Sequence, residues 1–388
     1  MEALELLDLI ALGETSTVQF KRTLEDTNDL AKELCAFANT SGGMILFGVE
    51  DDGTIGGLAP EEVRELTSKI ANVASQVVRE PIYPTSEVVA VNRTLVLVIR
   101  VPDSAAKPHF DRNGAIWVKS LADKRRVTAR EELRRMFQEA HVFHADEQPV
   151  SRSSAADLDL DAFVAFHQKV TDEEFSDSGI EMDRLMANHN VAINGCLTLA
   201  GLLFFGLQPQ KYRPELVTKA VSWKTCRADD NAGYFDSEDI GGTLPQQLAG
   251  ILAFLRRNLG HIQGDQGINS EGILEIPLQV FEELLVNMLV HRNYFLTAPQ
   301  TVFVFPDRVE IASPGHLPNK LTVEQAKSGN SIPRNPILQS MASKLLPYRG
   351  IGTGIPRALK AYPHIEFVND ADANRFRSVI RRPSSSSA

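Results

Sequence analysis

The chain has 388 residues, 43% of them hydrophobic, and 50 acidic against 40 basic side chains give a net charge of -10. That length can bury more than one core, so two or three domains are expected, while the acidic balance excludes a protein that coats nucleic acid over its whole surface. The longest apolar run, LTLAGLLFFGL at 197–207, falls well short of the ~20 residues of a membrane helix, MEALELLDLI is acidic where a signal peptide is basic, and Cys35, Cys196 and Cys226 include no C-x-x-C pair, so a cytoplasmic protein with neither membrane span, disulfide framework nor zinc site is expected.

In chain order, apolar periodicity predicts a helix from Leu30 to Ala38 that stops at Asn39 and SGG, then a buried strand MILFGV and a turn EDDG. A helix over 60–78, strands near 86–101 and 115–119 and a helix over 128–140 complete an α+β unit at 1–143. Residues 144–157, HADEQPVSRSSAAD, lack apolar periodicity and are predicted to be a linker. Helices dominate from 158 to about 205. The strand ELVTKAVSW and a helix over 245–259 follow, leading to FEELLVNMLVHRNY at 281–294. The hairpin TVFVFPDRVEIASPG, a long connection, a Gly-rich turn, a helix and the strands HIEFVN and FRSVIRR complete a second unit at 158–382. The tail PSSSSA, 383–388, is expected to be disordered.

The helix FEELLVNMLVHRNY carries Glu283, Asn287 and His291 every fourth residue, beside an apolar stripe of Phe281, Leu284, Leu285, Met288 and Leu289. At about 100° per residue the polar groups lie at the margin of the buried arc, where a pocket would open. Downstream, Gly350, Gly352 and Gly354 let backbone N–H groups approach an anion at a helix N-terminus. His291 reads as a structural, hydrogen-bonded histidine. Arg334 either reaches phosphate or pairs with an acid. The readings of the helix as a polar stripe, and of the glycines as an ordinary turn, stay open.

The N-terminal stretches GETSTVQFKRTL and ELCAFANTSGGMILFGVEDDGTIGGL resemble the Schlafen-type AlbA domain, which implies nucleic-acid binding. Nuclease members of that family carry an acidic cluster that maps here onto Glu14, Gln19 and Asp51 or Asp52. Gln19 breaks it, because a neutral amide lowers metal affinity. The alternative is that Glu14 caps or pairs locally with Lys21 and that the aspartates only form a turn. Phosphate contacts are expected from Lys21, Lys107, Lys119, Lys124, Arg125 and Arg126, near Phe110 and Trp117. Arg130, Arg134 and Arg135 read equally well as a solvated helix face.

FEELLVNMLVHRNY, DRVEIASPGHLP, RNP at 334–336 and RGIGTGIPRALK resemble the C-terminal ATP-binding region of RecG-related helicases, whose fold is that of gyrase, histidine kinases and MutL. The resemblance implies an α/β sandwich, with ATP held by Asn287, Ser313, Gly315, Arg334, Gly350, Gly352 and Gly354. It also implies Mg²⁺ on Asn287 and a water oriented by Glu283. Ser313 stands where the wider superfamily has an adenine-binding Asp. The chain contains no G-x-x-x-x-G-K-[ST], so no P-loop motor and no unwinding are predicted. The expected function is an ATP-responsive nucleic-acid-binding protein, a transcriptional regulator or a component of defence against foreign DNA, acting on DNA or RNA as a homo-oligomer. The alternatives are a metal-dependent nuclease gated by ATP and a nucleotide-independent interaction scaffold.

Overall fold

The computed structural model describes residues 1–383 apart from Asn92, Ala105, 141–142, 173–178, 229–232, 263–271 and 319–320. The predicted disordered tail therefore lies, except for Pro383, outside the described residues. The chain divides into two compact units, Met1–Phe143 and His144–Ala388.

The first unit is an α+β domain. Its helices are α1 (Ala3–Ala11), α2 (Thr27–Asn39), α3 (Pro60–Asn72) and α4 (Arg130–Glu139), and its strands are β1 (Val18–Lys21), β2 (Gly43–Phe47), β3 (Thr85–Val91), β4 (Thr94–Val101), β5 (Trp117–Ser120) and β6 (Asp123–Arg126). The sheet order is β1-β2-β4-β3, with β1 parallel to β2 and the other pairs antiparallel. Asp26 starts α2 by accepting the Asn28 N–H. Leu30, Leu34, Cys35, Phe37 and Ala38 are all buried, so α2 is covered on several sides, including by the β5–β6 hairpin. A Cβ on Gly43 would lie 2.4 Å from the Phe37 ring, so β2 can cross the end of α2 this closely only with glycine there.

The second unit comprises α5 (Leu160–Thr171), α6 (Met182–Asn188), β7 (Ala192–Ile193), β8 (Cys196–Leu197), α7 (Leu199–Phe205), α8 (Pro209–Tyr212), β9 (Thr218–Trp223), β10 (Tyr234–Ile240), α9 (Leu244–Asn258), β11 (His261–Ile262) and β12 (Ile273–Leu274). It continues with α10 (Leu278–Val290), β13 (Gln300–Val304), β14 (Arg308–Pro314), α11 (Val323–Lys327), α12 (Pro336–Leu345), α13 (Gly354–Ala361), β15 (Ile365–Asp370) and β16 (Arg375–Arg381). Six strands form one sheet in the order β10-β9-β13-β14-β16-β15, antiparallel except for β9 with β13. The wholly buried Phe254, Leu255, Phe281, Leu285 and Leu289 place α9 and α10 in its core, and α13 packs on α10.

Residues 144–157 are part of this second unit and are not a free linker. Asp146 is fully buried and its Oδ2 accepts the Leu338 N–H at 2.9 Å, in the first turn of α12. Ala145 and Val150 join the core. A short polar-looking stretch is held here by a helix some 190 residues away, a relation that local composition does not contain.

Candidate functional site

Helix α10 ends at Val290, so His291 occupies its C-terminal cap and Arg292–Tyr294 lie in the turn beyond. The last carbonyls of a helix lack intrahelical donors. Here each is met by a side chain. Gln300 and Ser313 donate to the Met288 oxygen at 2.6 and 3.2 Å, Tyr294 to Leu289 at 2.7 Å, Asn335 to Val290 at 2.8 Å, and Arg334 to His291 at 3.2 Å. These bonds fix the helix against β13, β14 and the start of α12.

The exposed margin of α10 lines a cavity, faced by β14, β16, residues 315–318 and 330–334, and the turn 348–355. Counting its open mouth and the solvent within it, the empty space measures about 1010 Å³. Glu283 and Asn287 meet Gly354 at one end. A Cβ on Gly354 would fall 3.0 Å from Asn287 Nδ2 and 3.1 Å from Glu283 Oε2, so this glycine lets α13 begin directly against α10. The Asn287 carboxamide makes no hydrogen bond among the described residues and is only partly buried. Gly350 and Gly352 have φ of 70° and 76°, in the left-handed region.

Glu283 is 6% exposed. Its carboxylate receives Arg357 Nη2 at 2.8 Å on Oε1 and 2.9 Å on Oε2. Burial pushes this carboxyl above its usual range, and the Arg357 charge offsets only part of the effect. Arg357, one turn into α13, was not singled out from the sequence, where it reads as a solvated helix residue. Arg334 is committed to the carbonyls of His291 and His316, the latter at 2.7 Å. His291 Nε2 lies 3.1 Å from the Tyr348 hydroxyl. Burial and then the Arg334 charge lower its imidazole to about 4, and burial raises Tyr348 to about 12, so at neutral pH a neutral ring and a neutral phenol share this bond, its direction set by the tautomer. His291 thus fits the structural reading.

In the first unit the expected cations have different fates. Lys119 is buried and does not contact solvent as a phosphate-binding side chain must. Its ammonium bonds Gln19 Oε1 at 2.8 Å, Glu33 Oε1 at 2.9 Å and the Ala122 carbonyl at 2.6 Å. Lys124 pairs with the other Glu33 oxygen at 2.9 Å and with Asp29 at 3.1 Å, and Lys21 pairs with Asp29 at 3.3 Å. Burial pushes Asp29 up, but Lys124 and Lys21 more than offset it and leave the carboxyl below its usual range. Lys107 bonds the Thr40 carbonyl at 2.7 Å and pairs with Asp103. Arg125 forms a two-pronged pair with Glu132 at 2.6 and 3.0 Å. Arg126 is exposed on β6, and its side chain makes no ion pair among the described residues.

Glu14 Oε1 accepts the Gln19 side-chain amide and, at 2.7 Å, the Phe20 N–H. Asp52 Oδ1 accepts the Thr54 N–H at 2.8 Å and closes the turn. That backbone bond holds the Asp52 carboxyl below its usual range. Asp51 is exposed in the same turn. Among the described residues no group of three or more His, Cys, Asp or Glu side chains is disposed to hold a metal ion, so Glu14, Asp51 and Asp52 do not together make such a group. The turn-forming reading describes the aspartates, and Glu14 caps locally on Gln19 and Phe20 rather than on Lys21.

A family model described as "Schlafen, AlbA_2" matches residues 14–128, and one described as "Putative ATP-dependent DNA helicase recG C-terminal" matches residues 298–376. The chain joins a Schlafen AlbA_2 domain to a recG C-terminal domain. The AlbA_2 match contains Glu14, Gln19, Asp51, Asp52 and all six expected cations. The recG C-terminal match contains Ser313, Gly315, Arg334 and the glycine turn, while α10, with Glu283 and Asn287, precedes it.

Among solved structures, the DIP2311 protein from Corynebacterium diphtheriae aligns over 95% of this chain at 19% identity with a TM-score of 0.45, and the chain spans 65% of that protein's length. The N-terminal domain of a "Putative ATP-dependent DNA Helicase RecG-related Protein" from Nitrosomonas europaea aligns over 34% of this chain and 96% of its own at 23% identity, with a TM-score of 0.26. No curated protein matches. No helix among the described residues is long and apolar enough to cross a membrane.

Proposed function

We propose that the protein is an ATP-responsive nucleic-acid-binding protein. The recG C-terminal domain binds ATP in the cavity along α10, and the AlbA_2 domain binds DNA or RNA. The observation that carries this reading is the convergence of an unpartnered Asn287 carboxamide, the Glu283 carboxylate and the glycine turn at the start of α13 on one cavity. Phosphates would be received by the N–H groups of the turn and by Arg357. Mg²⁺, when bound with the nucleotide, would take the Asn287 oxygen as its protein ligand and neutralise phosphate charge. Glu283 is tied to Arg357 and so is not free to orient a water. This supports sensing of ATP over rapid turnover, and regulation of transcription or of a defence response is the role that best suits such a device. On the AlbA_2 side, the exposed Arg126 is the best-placed of the expected cations for phosphate. The amide of Gln19 in place of an acid argues for binding without cleavage.

The test is thermal unfolding of the purified protein with and without MgATP, because a ligand that binds only the folded state raises the midpoint by mass action. An identical midpoint at millimolar MgATP removes the nucleotide from the proposal and leaves an interaction scaffold.

A further inference from the structure

The cavity is unlike at its two ends. Along the middle of α10 sit Glu283, Asn287 and Arg357 with the glycine turn. Near its C-terminal half the floor is neutral. Ile311 and Ser313 of β14 face Ser378 and Phe376 of β16 in antiparallel register, and Phe376 stacks on Phe367 with ring centroids 6.0 Å apart. Arg334, the cation nearest this end, is turned onto backbone carbonyls. A triphosphate fits the charged end, which places the base over the two serines.

Ser313 is 9% exposed and Ser378 5%, so a base edge that reaches them is held to their chemistry. A carboxylate at such a position only accepts and selects an amine. A hydroxyl accepts or donates according to how its O–H is turned. Ser313 donates to the Met288 carbonyl over a long 3.2 Å, leaving its lone pairs for an exocyclic amine. The same carbonyl already receives Gln300 at 2.6 Å, so Ser313 can swing its proton toward a ligand carbonyl without stranding a buried acceptor.

We infer that this site does not distinguish a 6-amino from a 6-oxo purine and takes inosine and guanosine triphosphates as well as ATP. Ser313 is the residue that sets this tolerance, and the inference rests on the nucleotide reading above. Since the exchange trades one hydroxyl bond for another, ATP and ITP affinities should agree within about tenfold.

The experiment measures dissociation constants of wild type for MgATP, MgITP and MgGTP, and repeats ATP and ITP with Ser313→Asp and Ser313→Ala. ITP confines the change to the 6-position and the N1 proton that goes with it, because it lacks the 2-amino group of guanine. The expected result is a wild-type ATP:ITP ratio within about tenfold, moved toward ATP by about tenfold or more in Ser313→Asp, with both nucleotides weakened alike in Ser313→Ala. A wild-type preference for ATP beyond about a hundredfold overturns the inference while leaving the nucleotide site standing. A ratio unmoved in a folded Ser313→Asp protein overturns Ser313 as the determinant. Should neither ATP nor ITP bind, the nucleotide reading itself fails and the tolerance falls with it. The wild-type ratio needs no variant, so it stands if Ser313→Asp does not fold.

Discussion

A single nitrogen of Arg357, Nη2, lies 2.8 Å from one oxygen of Glu283 and 2.9 Å from the other, joining α13 to α10 across the charged end of the cavity. The pair is largely buried on both sides, with 27% of the Arg357 and 7% of the Glu283 side chain exposed. Deleting either partner leaves the other desolvated and alone. Arg357→Met should therefore cost about 1–3 kcal/mol of stability, and much less once Glu283→Gln is also present. Urea denaturation of the two single variants and the double variant gives the coupling. A value near zero would mean that the pair does not hold α13 in place.

Asn287 and Glu283 sit one turn apart but should fail differently. Asn287→Ala should lose the MgATP-induced rise in melting temperature, since triphosphate charge in a partly desolvated pocket is left without its metal ligand. Glu283→Gln should keep that rise, and any ATP hydrolysis should fall by ~10² or more. Parallel melts and a phosphate-release assay separate the two. Identical behaviour of both variants contradicts the division of roles.

The His291 imidazole is lowered to about 4 by burial and by Arg334, so the folded protein prefers it neutral. For a base whose folded pKa is depressed, the stabilisation is present above the unfolded value near 6.5 and is lost as the pH falls toward 4. The contribution is roughly 3 kcal/mol at most. Stability measured at pH 7, 5.5 and 4.5 should drop more steeply for wild type than for His291→Gln. Parallel pH profiles would count against it.

Lys119 and Arg126 lie near one another in sequence but should respond in opposite ways. Lys119→Met leaves Glu33 with only Lys124 on one of its oxygens, in a buried site, and should destabilise the first unit by about 3–5 kcal/mol. Arg126→Ala should leave the melting temperature unchanged, weaken binding to unrelated oligonucleotides, and reduce the salt slope by about one. Binding isotherms at several salt concentrations together with melts decide between them.

Much of the site was readable because it repeats locally. Glu283 and Asn287 are four residues apart on one helix, and the three glycines of the turn fall within five residues, so neighbours in sequence remain neighbours in space. The missing pieces come from distance. WVKSLADKRR reads as a basic patch until Asp29 and Glu33, nearly a hundred residues earlier on α2, are laid beside it and neutralise Lys119 and Lys124. Arg357 lies 74 positions after Glu283. Asp146 looked like part of a linker because the helix it caps begins 190 residues later. Apolar periodicity shows which face of a helix is buried, but not which charge from another element will meet its margin.

The side chains that meet the last carbonyls of α10 have a mechanical meaning. Gln300, Ser313, Tyr294, Asn335 and Arg334 come from the sheet, from the turn after the helix and from the start of α12, so α10 cannot slide or rotate without breaking several bonds at once. The floor and this wall of the cavity are stationary. The opposite wall is held at fewer points: Gln339 Nε2 bonds the Gly350 carbonyl at 3.0 Å, and Gly352 passes so close to the Gly329 carbonyl that a Cβ would lie 2.0 Å from it. Any change of shape that accompanies a ligand must arise where Gly329 and Gly352 meet. A message from the cavity to the rest of the protein would therefore start from the glycine turn, while α10 serves as its fixed reference.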